Sequence, residues 1–137
     1  MVRLKEIEVG AVPLDDLAGD PVRFIKLDLE GLALRNGKRL LAAQRPVVAF
    51  EFGRDDAAIP AGYGADDFFD LFEEIDYAVL NVFGRPFGRA EFDLPWNARE
   101  MPHYVVAAPA DRREEVAKKL RRRAWSVLME AGHQPPG

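Results

Sequence analysis

Phe24-Ile25-Lys26-Leu27-Asp28-Leu29-Glu30-Gly31 decides how this chain is read. Apolar residues at 25, 27 and 29 alternate with Lys26, Asp28 and Glu30, and a period of two places the two sets on opposite faces of a strand. The strand is expected over 22–29 and ends in acid and glycine, where the backbone must turn. In open α/β sheets, ligands sit just beyond the carboxyl ends of the strands. Asp28 and Glu30 therefore stand where site residues stand. Lys26 shares their face and is expected to pair with a neighbouring carboxylate, without a chemical role of its own.

Working outward, 46–52 reads as a second strand. Its run Pro46-Val47-Val48-Ala49-Phe50 is apolar up to Glu51, as suits a central parallel strand. Between the two, 32–43 reads as a helix with a flaw at Asn36-Gly37. Residues 65–75 form a short helix with Phe68, Leu71, Phe72 and Ile75 at spacings of three and four. A third strand follows over 77–83. The stretch 84–102 is long, polar-aromatic and without a clear period; such loops in small domains are functional or mobile. A fourth strand over 104–108 follows without a crossover helix, so it is expected to run antiparallel. Asp111 with Glu114 has the spacing of a capping box for a last helix over 110–132. On that helix Val116, Leu120, Ala124, Val127 and Leu128 make an apolar stripe.

Before the first strand, Leu14-Asp15-Asp16-Leu17 reads as a single helical turn closed by Gly19-Asp20-Pro21. The whole is one α/β domain: a lead-in over 1–21, a sheet core over 22–109, the helix over 110–132 and a tail over 133–137. At 137 residues a compact chain buries roughly two-thirds of its unfolded surface. Hydrophobic content of 48% supports a core of that kind. The absence of cysteine excludes disulfides, thiolate zinc sites and thiol chemistry. A net charge of -4 argues against a surface built for nucleic acid. The run Lys118, Lys119, Arg121, Arg122, Arg123 is read as the solvated side of a docked helix. No apolar stretch approaches the roughly eighteen residues of a membrane span, and 1–8 do not resemble a secretory signal, so a cytoplasmic location is expected.

Leu14-Asp15-Asp16-Leu17, the 24–31 segment and Arg45-Pro46-Val47-Val48-Ala49-Phe50-Glu51 together resemble the C-terminal half of the FkbM family. These are S-adenosylmethionine-dependent methyltransferases of the class I, Rossmann-like fold. The family pattern has a leucine-aspartate pair before a strand close to "IKIDVEG", then a helix and a Pro-initiated strand ending in Glu. Asp28, Glu30 and Gly31 match the central motif and Glu51 the closing acid. After Gly31 the family continues with an acid and a longer helix start, whereas this chain has Leu32-Ala33-Leu34-Arg35-Asn36-Gly37.

The resemblance implies the C-terminal part of a class I sheet, with about four strands and the last antiparallel. It implies O-methyl transfer to a sugar or small metabolite, with Asp28, Glu30 and Glu51 as catalytic candidates and S-adenosylmethionine as cofactor. The glycine-rich turn that would hold this cofactor is expected in an N-terminal half that these residues do not supply. The chain is thus read as truncated or split, with a homodimer or a separately encoded N-terminal half as partner and the 22–29 strand as an open edge. The alternative is a non-catalytic structural or interaction remnant of the same fold. The trio Asp28, Glu30 and Glu51 lacks a spacing specific for Mg²⁺, so no metal is expected. His103 as a base, and Tyr63 and the 83–96 aromatics as a cover over an acceptor, are further readings. Each competes with ordinary packing.

Overall fold

The computed structural model describes residues 7–17, 19–28, 32–51, 62–94 and 104–130. Four strands form one mixed sheet: β1 (Phe24–Leu27), β2 (Val47–Glu51), β3 (Tyr77–Asn81) and β4 (Tyr104–Pro109). Their order is β1-β2-β4-β3. β1 and β2 are parallel, and β4 is antiparallel to both β2 and β3. The first three strands therefore share one direction and the last runs against them, as the missing crossover helix predicts.

The register pairs Phe24 with Val47 and Leu27 with Phe50, and Glu51 with Tyr104 on the other side of β2. Along β1, Ile25 is buried while Phe24 and Lys26 are exposed, the alternation expected of its sequence. β1 closes at Leu27, and Asp28 already lies in a bend. Leu29, Glu30 and Gly31 lie outside the described residues.

One face of the sheet carries the main core. Short helices α1 (Leu32–Arg35) and α2 (Lys38–Gln44), then α3 (Ala65–Glu74) and α4 (Arg89–Phe92), pack there. Their Leu34, Leu40, Leu41, Phe68, Phe69, Phe72 and Phe92 meet Ile25, Val48, Phe50, Val79, Val105 and Ala107 of the strands. Phe50 stacks on Phe72 at 5.9 Å and Phe68 meets Phe72 edge-on at 5.2 Å, geometries that favour aromatic pairs. The flaw expected at Asn36-Gly37 is real: the chain breaks there between α1 and α2.

The structure decides between the two readings of the aromatic loops. Tyr63, Phe87 and Phe92 follow the packing reading and not the acceptor-cover reading. All three are buried in the main core, with Phe87 and Phe92 against Phe69 at 6.1 and 6.2 Å. The reason is α4, which turns the "aperiodic" stretch back onto α3. Arg89 fastens it there, with its guanidinium on Asp66, Asp70 and Glu73 at 2.8–3.0 Å and over the Phe69 ring at 5.2 Å. Trp96 lies outside the described residues.

The opposite face is covered by the long helix α5 (Arg113–Glu130). Val116 and Ala117 pack on Leu80, Val106 and Ala108, with Leu120, Val47 and Ala49 half-buried beside them. Asp111 does not cap this helix. A 3-10 turn over Ala110–Arg112 precedes it, and the Asp111 carboxylate instead accepts from the Arg45 guanidinium at 2.7 Å. That hydrogen bond holds the Asp111 carboxyl below the usual range and the guanidinium above its own. The ion pair wins because Arg45, in the left-handed region at φ 51°, leaves α2 aimed at the turn before α5.

Candidate functional site

The parallel pairing of β1 and β2 delivers their carboxyl ends to the same end of the sheet. Leu27 is in register with Phe50, so Asp28 and Glu51 are the next residues at that end, and both carboxylates act on the Lys26 ammonium. The period of two assigns both to the face that α5 covers, together with Phe24, Lys26, Val47 and Ala49. β4 enters from the same end, and its first residue, Tyr104, stands in register with Glu51 on that face too. α5 lies over β4 and β3, and among the described residues none covers the β1 margin of this face, where Phe24 is 59% exposed.

Lys26 is the centre of the group. Its ammonium is hydrogen-bonded to the Asp28 carboxylate and lies 5.9 Å from the centre of the Tyr104 ring. The bond to Asp28 raises the Lys26 pKa. Desolvation is the next largest influence and opposes it, while Asp28, Tyr104 and Glu51 add electrostatic attraction. Lys26 therefore stays an ammonium at neutral pH and cannot serve as a base. The expectation that it pairs with a neighbouring carboxylate is met.

Two carboxylates around one ammonium leave a single excess negative charge at the strand ends. A carboxylate so placed can accept a hydrogen bond from a hydroxyl, or favour a nearby sulfonium over its neutral product. The Asp28 and Lys26 side chains are 69% and 54% exposed, so water screens both. Strong electrostatic work there requires another surface that excludes solvent.

Asp28 and Glu51 are thus brought together, whereas Glu30 and His103 lie outside the described residues. Tyr104 is the residue that sequence reasoning passed over as a site member. Its signal was present only in combination: an antiparallel last strand must begin where the parallel ones end. Elsewhere, a depression of about 370 Å³ lies between α1, α2 and α3, lined by Arg35, Lys38, Asp67, Asp70, Leu71 and Glu74. It is on the other side of the sheet, and its charges satisfy one another through Arg35–Asp67 at 3.6 Å and Lys38–Glu74. Among the described residues, no group of three or more His, Cys, Asp or Glu side chains is arranged to hold a metal ion. No described helix is long and apolar enough to cross a membrane.

No family model matches the chain, and no curated protein or solved structure matches it. What the fold and site define is an open, mixed α/β sheet with a carboxylate pair at the ends of two parallel strands.

Proposed function

We propose that this chain forms the C-terminal part of an FkbM-type S-adenosylmethionine-dependent methyltransferase, truncated or split, acting on an oxygen of a sugar or small metabolite when completed. The observation that carries the reading is the parallel register of β1 and β2, whose last pair, Leu27 and Phe50, is followed directly by Asp28 and Glu51. The motif around Asp28, the position of β1 at a sheet edge and the antiparallel β4 support it. In this reading Asp28 and Glu51, with Glu30, orient the acceptor hydroxyl and take up its proton as the methyl group transfers. S-adenosylmethionine supplies the activated methyl. Among the described residues no glycine-rich turn runs from a strand into a helix to cradle it; in this reading a cofactor-binding half supplies that turn and meets the β1 edge.

The test is complementation. The chain is co-expressed with the cofactor-binding half of an intact FkbM protein, and methyl transfer from labelled S-adenosylmethionine is followed. The complex should retain the cofactor and transfer label, and Asp28→Asn should keep the cofactor while losing about a hundredfold in rate. A complex that never retains S-adenosylmethionine would sink the proposal.

A second reading, a non-catalytic interaction module of the same fold, is favoured by one observation: Asp28 is exposed and already held by Lys26. It is distinguished by a complex that binds the cofactor yet transfers label equally slowly with Asp28 or Asn at that position.

A further inference from the structure

The net charge of -4 averages two unlike parts of the chain. Residues 1–110 hold nineteen acids against twelve Lys and Arg, whereas residues 111–137 hold seven Lys and Arg against four acids. Most of that second part is α5, whose apolar side is spent on the sheet through Val116, Ala117 and Leu120. The acid-rich α3, with Asp66, Asp67, Asp70, Glu73 and Glu74, packs on the opposite face. The sheet and both core layers therefore stand between the two. Charges farther apart than about 8–10 Å are screened at physiological salt, so the repulsion of an anion by the acidic body is weak at α5.

The acids in the first turns of α5 are already engaged. Glu114 lies between Arg113 at 3.5 Å and Arg121 at 3.8 Å, and Glu115 between Lys119 at 2.6 Å and Arg112 at 3.7 Å. Lys118 and Arg122 are exposed, and among the described residues neither has an ion-pair partner. Spacings of three and four put Lys118, Arg121 and Arg122 on one face of the helix. Arg123, two residues beyond Arg121, falls on the other flank. A fourth cation comes from another element. Gly84 sits where a Cβ would meet the Ala117 carbonyl, and its own carbonyl accepts from the Arg121 guanidinium at 3.1 Å. That contact brings the backbone of the next residue, Arg85, beside this face. Arg85 is exposed and has no ion pair among the described residues. Geometry thus sorts the basic run: Lys119 is matched by Glu115, whereas Lys118, Arg121, Arg122 and Arg85 form one patch.

We propose that this face of α5, together with Arg85, binds the phosphate backbone of a nucleic acid without reading its sequence. Three of the four cations are Arg, whose paired N–H donors match phosphate oxygens. The patch lies on the outer side of a helix, where water screens a lone phosphate. A backbone presents several phosphates in a row and gains from all four cations at once. A lipid surface requires apolar side chains beside the cations. The large exposed apolar residues of the described chain, Ile7, Phe24 and Leu94 among them, lie outside α5. The proposal goes beyond the methyltransferase reading and does not rest on it.

Fluorescence anisotropy of a labelled DNA duplex, titrated with the full chain over a range of salt, tests it without any cofactor. Four phosphate contacts should give log affinity against log salt a slope of about -3.6. Lys118→Ala, Arg122→Ala and Arg85→Ala should each make that slope shallower by about 0.9 and weaken low-salt binding about tenfold, equally on duplexes of different sequence. Lys119→Ala, which removes a cation already matched by Glu115, should change both far less. All four positions are exposed, and circular dichroism checks that each variant stays folded. Arg85→Ala is the decisive variant, because Arg85 lies outside the basic run and its loss would be silent if α5 acted as a mere string of charge. Absence of binding at low salt overturns the proposal. So does a slope that Arg85→Ala alters no more than Lys119→Ala does. Tighter binding to phosphatidylserine vesicles than to the duplex also overturns it, and assigns the patch to a lipid surface.

Discussion

Gly84 shows how one residue can decide whether two elements meet. It ends the turn after β3 with φ +72°, and a Cβ added there would run into the Ala117 carbonyl of α5. Both the left-handed backbone and the close approach require glycine. Gly84→Ala should destabilise the fold by about 2 kcal/mol or more, seen as a lower denaturant midpoint. Gly37 makes the contrast. A Cβ there meets the Leu14 side chain, from Cδ2 back to Cβ, rather than backbone. Nothing in the sequence separates these two glycines, because both sit beside a turn signal. What distinguishes them is the backbone angle, φ +72° at Gly84 alone, and whether the neighbour across space is backbone or side chain.

Helix α2 shows how elements rely on one another. It has seven residues, too few to stand alone in water, and its N-cap position is Gly37, which offers no side-chain acceptor. The missing cap comes from the lead-in turn over Leu14–Asp16. Asp15 accepts from Leu40 N–H at 2.7 Å and Arg39 N–H at 3.3 Å, and its own N–H donates to the Asn36 carbonyl at 2.9 Å. Asp15→Ala should cost about 1 kcal/mol, and hydrogen exchange should localise the loss to the first amides of α2. The turn itself was legible from Leu14-Asp15-Asp16-Leu17. Its partner, twenty-five residues on, was not. By comparison, α3 and α4 cap themselves: Gly64 N–H donates to the Asp67 carboxylate at 3.0 Å and Gly88 N–H to that of Glu91 at 2.9 Å. That Gly-x-x-acid spacing is local, so it can be read directly.

Across the whole molecule, Tyr77 ties the lower ends of the layers together. Its hydroxyl donates to the Pro46 carbonyl at 2.8 Å, with the Leu41 carbonyl at 3.2 Å, while Arg45 lies over its ring at 5.8 Å. Burial pushes the Tyr77 pKa from 10.0 up to about 12, although Arg45 pulls it the other way. A folded-state pKa above the unfolded one means that the stabilisation is full below about pH 10. It is lost as pH rises toward about 12, because the unfolded chain releases the proton first. Tyr77→Phe should therefore flatten the fall in stability over that alkaline window, measured by urea unfolding as a function of pH. The same scale separates local from distant information. The alternation of 24–28, the apolar run of β2 and the missing crossover before β4 follow from neighbours in the chain, so strands, faces and direction were all readable. The insertion of β4 between β2 and β3, which carries Tyr104 to Lys26 and Glu51, depends on pairings between segments more than fifty residues apart. By itself the amino-acid sequence determined which side chains share a surface, since backbone periodicity is a property of consecutive residues. Only the tertiary structure decided which strand stays bare and which charges gather at its end, since those follow from the competition among distant segments for the same hydrogen-bonding edges.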